Sequence, residues 1–284
     1  MDRLADVASW RAYAARQRAH GRRVGLVPTM GALHEGHVAL FRAAREAGDV
    51  VVATSFVNPR QFNDDSDLAA YPRDPAGDVA LAEGLVDALV EPTLSEMWPD
   101  YPHATATTVS VAGIGDVLEG AGRPGHFAGV ASVVAKLFVI TGPCRAYFGE
   151  KDYQQLVVVR RMVDDLAFDV EVVGSPIVRD ASGLAVSSRN VRLSQPGRAR
   201  AVGLARAVAH AAKRAAPASQ LRREMIETLD AAGVEVAYAE VVGPKTLEPT
   251  SDDESGERRA LVAGVVEGVR LIDNGPVTVT TKGV

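Results

Sequence analysis

Apolar positions in this chain fall into two kinds of run, and the two kinds alternate. Val24-Gly25-Leu26-Val27, 49–57 (DVVVATSFV), 86–90, 145–148 and 168–173 are short apolar stretches with little polar alternation. That is the signature of strands covered on both faces. Between them lie longer runs with helical spacing. His37, Val38, Leu40, Phe41 and Ala44 lie in the first, and others cover about 75–85, 130–140 and 152–166. Residues 3–20 read as an amphipathic helix with Leu4, Val7, Trp10 and Ala14 on one face. Strand and helix in alternation predict an α/β fold, a Rossmann-like doubly wound parallel sheet with helices on both faces. The spacing also predicts a short strand at 107–111, a short helix at 113–118 and a glycine-rich loop at 120–129. Residues 58–67 (NPRQFNDDSD) read as a polar loop and a mobile gate.

The pattern changes near Ser175. Ser194 opens an alanine- and arginine-rich helix, and a second helix covers about 219–232. Three strand-like runs follow at 234–242, 259–266 and 269–272 with no helix between them. This predicts a smaller C-terminal α+β domain with an antiparallel sheet. The expected division is a Rossmann-like domain over 1–176 and the α+β domain over 177–284.

Composition narrows the function classes. The 284 residues are 47% apolar, ample for a sizeable core, and the net charge of −5 argues against general nucleic-acid affinity. Cys144 is the single cysteine, so an internal disulfide is impossible. The first residues are charged throughout, and no apolar run has membrane-spanning length. A soluble cytoplasmic protein is expected.

Three polar stretches carry candidate chemistry. His34-Glu35-Gly36-His37 stands between the first apolar strand and its helix. In an open parallel sheet that is the carboxyl edge of the strand and the amino end of the helix. Free N–H groups and the helix dipole there favour a phosphate. A surface pair or half of a metal site are the competing readings, though no cysteine or third histidine lies close in sequence to complete a metal set. In the second stretch, 147–155 (YFGEKDYQQ), a strand again ends in a glycine turn and opens a helix. Lys151 there can neutralise charge developing on a phosphoryl group. Asp152 is either a helix N-cap or a catalytic acid. Gln155 lies one turn further on. The third stretch is 178–190 (VRDASGLAVSSRN). Its hydroxyls and guanidinium suit a polyphosphate, or an ordinary polar turn.

Taken together these stretches resemble the nucleotidyltransferase superfamily, which includes the class I aminoacyl-tRNA synthetases. The closer resemblance is to the pantothenate synthetase (pantoate–β-alanine ligase) family. It is carried by PTMGALHEGH (28–37), FVNPRQF (56–62), YPRDP (71–75), GRPGHFAGV (122–130), YFGEKDYQQL (147–156) and SGLAVSSRN (182–190), in family order. One departure is Val186, where the family commonly has methionine or leucine before the two serines. The resemblance implies ATP-dependent condensation of pantoate with β-alanine through a pantoyl adenylate. It implies ATP binding by Met30, Gly31, Ala32, Leu33, His34, Glu35, Gly36 and His37. It adds Gly149, Glu150, Lys151, Asp152, Val178, Val186, Ser187, Ser188 and Arg189. His34, His37 and Lys151 carry the catalytic expectation. Gln61 and Gln155 are expected on pantoate, with Gln61 also near β-alanine and Asn58 and Tyr71 as further substrate candidates. Magnesium (Mg2+) is expected mainly on the ATP phosphates, with Asp78 either approaching it or serving as a helix first-turn acid. By the same resemblance the C-terminal domain is a lid and the assembly a homodimer. No nucleic acid or membrane partner is expected.

Overall fold

The computed structural model describes residues 1–281. The chain divides into two compact units. One comprises Met1–Glu150 and Gln154–Pro176; the other comprises Lys151–Tyr153 and the chain from Ile177 on.

The first unit is an α/β layer structure. Its strands are β1 (Asp2–Leu4), β2 (Val24–Thr29), β3 (Val50–Ser55), β4 (Ala88–Val90), β5 (Cys144–Gly149) and β6 (Val170–Ser175). They form one sheet in the order β1-β4-β3-β2-β5-β6, and every pairing is parallel. The main helices are α1 (Val7–Ala19), α2 (Glu35–Glu46), α4 (Pro75–Ala82), α7 (His126–Thr141) and α8 (Tyr153–Asp165). Single-turn α3 (Asp65–Ala69), α5 (Leu94–Met97) and α6 (Glu119–Gly122) lie in the connections. Alternate strand residues feed two separate cores. Val24, Leu26, Val52, Ala146 and Phe148 pack with Trp10 of α1 and the apolar sides of α7 and α8. Val27, Val51, Ala53, Leu89 and Tyr147 pack with Leu40, Phe41 and Ala44 of α2 and Ala82 of α4. Side chains of a strand alternate between faces, which is why continuous apolar runs were needed.

The chain runs from β2 outward to β3 and β4, then returns through α7 to place β5 on β2's other side. The order therefore reverses between β2 and β5. Such a switch point opens a crevice outside the carboxyl ends of the two strands. The histidine motif follows β2, and Gly149-Glu150 closes β5.

The second unit has α9 (Gln195–Ala212) and α10 (Ala218–Ala231) packed on an antiparallel sheet β7-β8-β9. Its strands are β7 (Glu235–Val242), β8 (Gly256–Val266) and β9 (Val269–Val279).

Four local expectations are corrected. Asp2–Leu4 is not the start of the first helix but an edge strand paired with β4. Asp6 caps α1, its carboxylate accepting the Ser9 N–H at 2.6 Å, and so ends the helix there. Residues 107–111 pair with no strand among those described. Residues 113–118 form turns rather than a helix, with Gly113 and Leu118 at φ 76° and 52°. The glycine-rich stretch is largely helical: Gly125, at φ 81°, is the last residue before α7.

Candidate active site

In the first unit the loop after β2 is built to aim two imidazoles. Gly31 sits at φ +73°, and a Cβ there would lie 2.8 Å from the Asp78 carboxylate, so only glycine fits. Asp78, in the first turn of α4, is 5% exposed. Its carboxylate accepts N–H groups from Ala32 at 3.1 Å and Leu33 at 2.6 Å. Burial raises its pKa and outweighs the opposing pull of those two donors. These bonds give Asp78 a structural role: its oxygens hold the histidine loop.

His34 is the N-cap of α2, and its Nδ1 accepts the Gly36 N–H at 3.1 Å. His37 Nδ1 accepts the His34 N–H at 3.2 Å, completing a reciprocal capping box. The rings are 4.1 Å apart between centroids. With both Nδ1 atoms accepting, the proton of each neutral ring resides on Nε2. The glycine of the motif has a steric cause: a Cβ on Gly36 would lie 2.8 Å from His34 Cε1.

Asp78→Asn tests the loop's support. One acceptor oxygen becomes an NH2 facing a backbone N–H. The variant is expected to lose about 1–3 kcal/mol of stability, together with turnover. Thermal unfolding checks this, and an unchanged midpoint would remove Asp78 from the loop's support.

Gln61 ends a 3-10 turn, Pro59–Gln61, and is 8% exposed. Its amide Nε2 donates to Met30 Sδ at 3.0 Å, and its Oε1 accepts from Asn58 Nδ2 at 3.0 Å. Asn58 also donates to Gly129 O at 3.1 Å and accepts from Trp98 Nε1 at 2.9 Å and Arg60 N at 3.3 Å. An asparagine amide has two donor hydrogens and two acceptor lone pairs, and all are occupied by protein. These bonds make Asn58 the residue that orients Gln61. Tyr71 is 7% exposed and packs edge-on against Phe62, with 5.7 Å between centroids.

The polar stretch 58–67 holds the 3-10 turn and runs into α3. Of the paired glutamines on α8, Gln154 is buried, donating to Ile114 O and Val117 O at 2.8 Å and accepting from Glu119 N at 3.1 Å. Gln155, beside it, is half-buried.

In the second unit Lys151 lies 3.1 Å from the Asp152 carboxylate, with 21% of its side chain exposed. Asn274 on β9 donates to Lys151 O at 2.9 Å. Tyr153 donates its hydroxyl to Pro244 O at 3.0 Å, and Arg259 lies 4.0 Å from its ring centroid. The Val178–Val186 backbone contact, N–H to O at 2.9 Å, folds the third stretch into a small hairpin. Arg179 forks onto buried Asp273 at 2.6 and 2.8 Å. Ser187 caps the following 3-10 turn, Ser188–Arg192, its Oγ accepting the Arg189 N–H at 3.3 Å. Ser187, Ser188 and Arg189 are all half-buried.

A paired-histidine helix cap beside the switch point, with a fixed glutamine amide nearby in the fold, is a specific arrangement. The family model described as pantoate-beta-alanine ligase matches residues 2–276. The chain belongs to the pantoate–β-alanine ligase family. Its reaction is the family's, the joining of pantoate to β-alanine. The pantothenate synthetase of Cereibacter sphaeroides is 52% identical over 281 residues, covering 96% of this chain and 99% of that one. That of Moorella thermoacetica is 46% identical over 282 residues, covering 96% and 98%. A pantothenate synthetase structure from Thermus thermophilus superposes with a TM-score of 0.88 at 48% identity, covering 97% and 99%. The Francisella tularensis pantoate–β-alanine ligase, solved with β-γ ATP and β-alanine, has a TM-score of 0.79 at 30% identity, covering 97% of each chain.

Several residues that hold these side chains and backbones within their own units escaped the sequence reading. Trp98 and Asn274 reach their partners across 40 and 123 residues. No local pattern encodes such contacts. Arg123 and His126 stood inside a quoted motif, three apart across the start of α7, and that spacing was the available signal.

Proposed function

We propose that the family reaction runs here in two steps with ATP. A pantoate carboxylate oxygen attacks the α-phosphorus, the bond to the β-phosphate oxygen breaks, and pyrophosphate leaves. The β-alanine nitrogen then attacks the acyl carbon of the adenylate, loses a proton and expels AMP, leaving pantothenate. The observation that carries this reading is the His34–His37 capping box. Both rings are held through Nδ1 by backbone at the head of α2, where a phosphate is favoured, and Nε2–H donors there would bind a leaving pyrophosphate. ATP is assigned to residues 30–37, 149–152, 178 and 186–189, with Lys151 as the point charge. Pantoate is assigned to Gln61 and Gln155, with Gln61 also near β-alanine and Tyr71 as an apolar wall.

Magnesium is assigned to the ATP phosphates. Among the described residues no three His, Cys, Asp or Glu side chains cluster as a cage. Bound this way, the ion would neutralise phosphate charge.

A homodimer is proposed as well. Supporting it are the exposed side chains of Val139, at 63%, and Leu166, at 51%, in the same unit. A cytoplasmic location is proposed on the single buried thiol of Cys144. No described helix is long and apolar enough to cross a membrane.

Product analysis tests the central reading. The purified protein is expected to form AMP and pyrophosphate, and AMP only when pantoate and β-alanine are both supplied for sustained turnover. Stoichiometric ADP would overturn it.

A further inference from the structure

Beyond the ligand assignments, one buried side chain acts on Gln61 from behind. His126 opens α7 and is 9% exposed. Its Nδ1 lies 2.8 Å from Gln61 O, and its Nε2 lies 3.3 Å from Arg123 Nη1. A guanidinium has donors only, so Arg123 donates and Nε2 accepts. The ring proton is then on Nδ1, donating to the Gln61 carbonyl. This tautomer is the opposite of that in His34 and His37. Arg123 is itself placed by Asp67, whose carboxylate is 3.9 Å away. The first turn of α7 is bonded to the Gln61 turn in the other direction too, through Asn58 Nδ2 on Gly129 O. Contact there is so close that a Cβ on Gly129 would lie 2.2 Å from Arg60 O.

We infer that His126, set by Arg123, is a positioning residue for pantoate binding, because it holds the backbone from which the Gln61 amide projects. The inference rests on the reading of Gln61 as a pantoate ligand. The Gln61 side chain makes one bond from Oε1 to Asn58 and one from Nε2 to Met30. Each atom has one further bond to offer, an acceptor and a donor that a hydroxy-acid can use together. Such two-point recognition depends on where the turn is held. A small displacement weakens both bonds, while the histidine loop, which touches Gln61 only through the Met30 side chain, keeps its own support from Asp78.

Steady-state kinetics of paired variants test this. Asparagine places an amide nitrogen where His126 has Nδ1; glutamine places one where it has Nε2. His126→Gln and His126→Ala are expected to raise the pantoate KM about 10-fold, the worth of one shielded hydrogen bond, with the ATP KM unchanged. His126→Asn should recover most of the loss. In a Gln61→Ala background, His126→Ala should add little further. If His126→Ala does not fold, the Asn and Gln variants carry the comparison. The inference is overturned if Asn is as impaired as Gln, if the ATP KM rises in step, or if the two losses multiply in full. If Gln61→Ala raises the pantoate KM and His126→Gln does not, the inference alone fails. If Gln61→Ala leaves that KM unchanged, the pantoate reading fails and the inference with it.

Discussion

His34→Ala and His37→Ala are each expected to slow pantoate-dependent exchange of pyrophosphate into ATP by on the order of 100- to 1000-fold. Charge builds on the pyrophosphate as it leaves, so donors aimed there bind the transition state better than the ground state. The capping box makes both rings donors, since each Nδ1 accepts a backbone N–H. A general-base role for His37 in amide formation requires a lone pair on Nε2. That places the proton on Nδ1, against the His34 N–H that Nδ1 now accepts. Both variants, given preformed pantoyl adenylate and β-alanine, should therefore still make pantothenate at a substantial fraction of the parent rate. Single-turnover measurement with the preformed adenylate separates the two roles. If His37→Ala is as slow there as in the whole reaction, the donor assignment is wrong.

Lys151→Ala is expected to lower the maximal rate of adenylate formation by about 100-fold or more. The lysine stands on a short 3-10 turn whose backbone is held by Asn274, and its ammonium pairs with Asp152 at 3.1 Å. A preorganised charge contributes most where negative charge develops. Rapid-quench measurement of adenylate checks it. A change confined to the ATP Michaelis constant would mean that Lys151 contributes equally to ground and transition states.

The parallel sheet was legible because burial on both faces removes polar alternation, and Val50–Ser55 and Cys144–Gly149 show that signal plainly. The antiparallel unit was legible from three strand runs with no helix between. The weak places were short. Three residues of edge strand, Asp2–Leu4, carry too little pattern to be distinguished from the helix beside them. The stretch 107–111 has strand composition but finds no partner strand among the described residues, and propensity alone does not make a strand.

By itself, the sequence determined the alternation of elements, the glycine turns and the presence of the histidine, lysine and glutamine motifs. These depend on neighbours within a few residues, where backbone sterics and hydrophobic period act directly. Only the tertiary structure decided what each polar side chain does. Asp78 became a support for the loop at Ala32 and Leu33, Asn58 an orienter of Gln61, and Gln154 a partner for the turns at 114–119. Their bonds close across gaps of 35 to 46 residues, apart from Asn58, which reaches locally to Gln61 and distantly to Trp98. Whether a buried amide or carboxylate faces protein or ligand depends on which donors the packed elements bring to it, and that is a property of the fold.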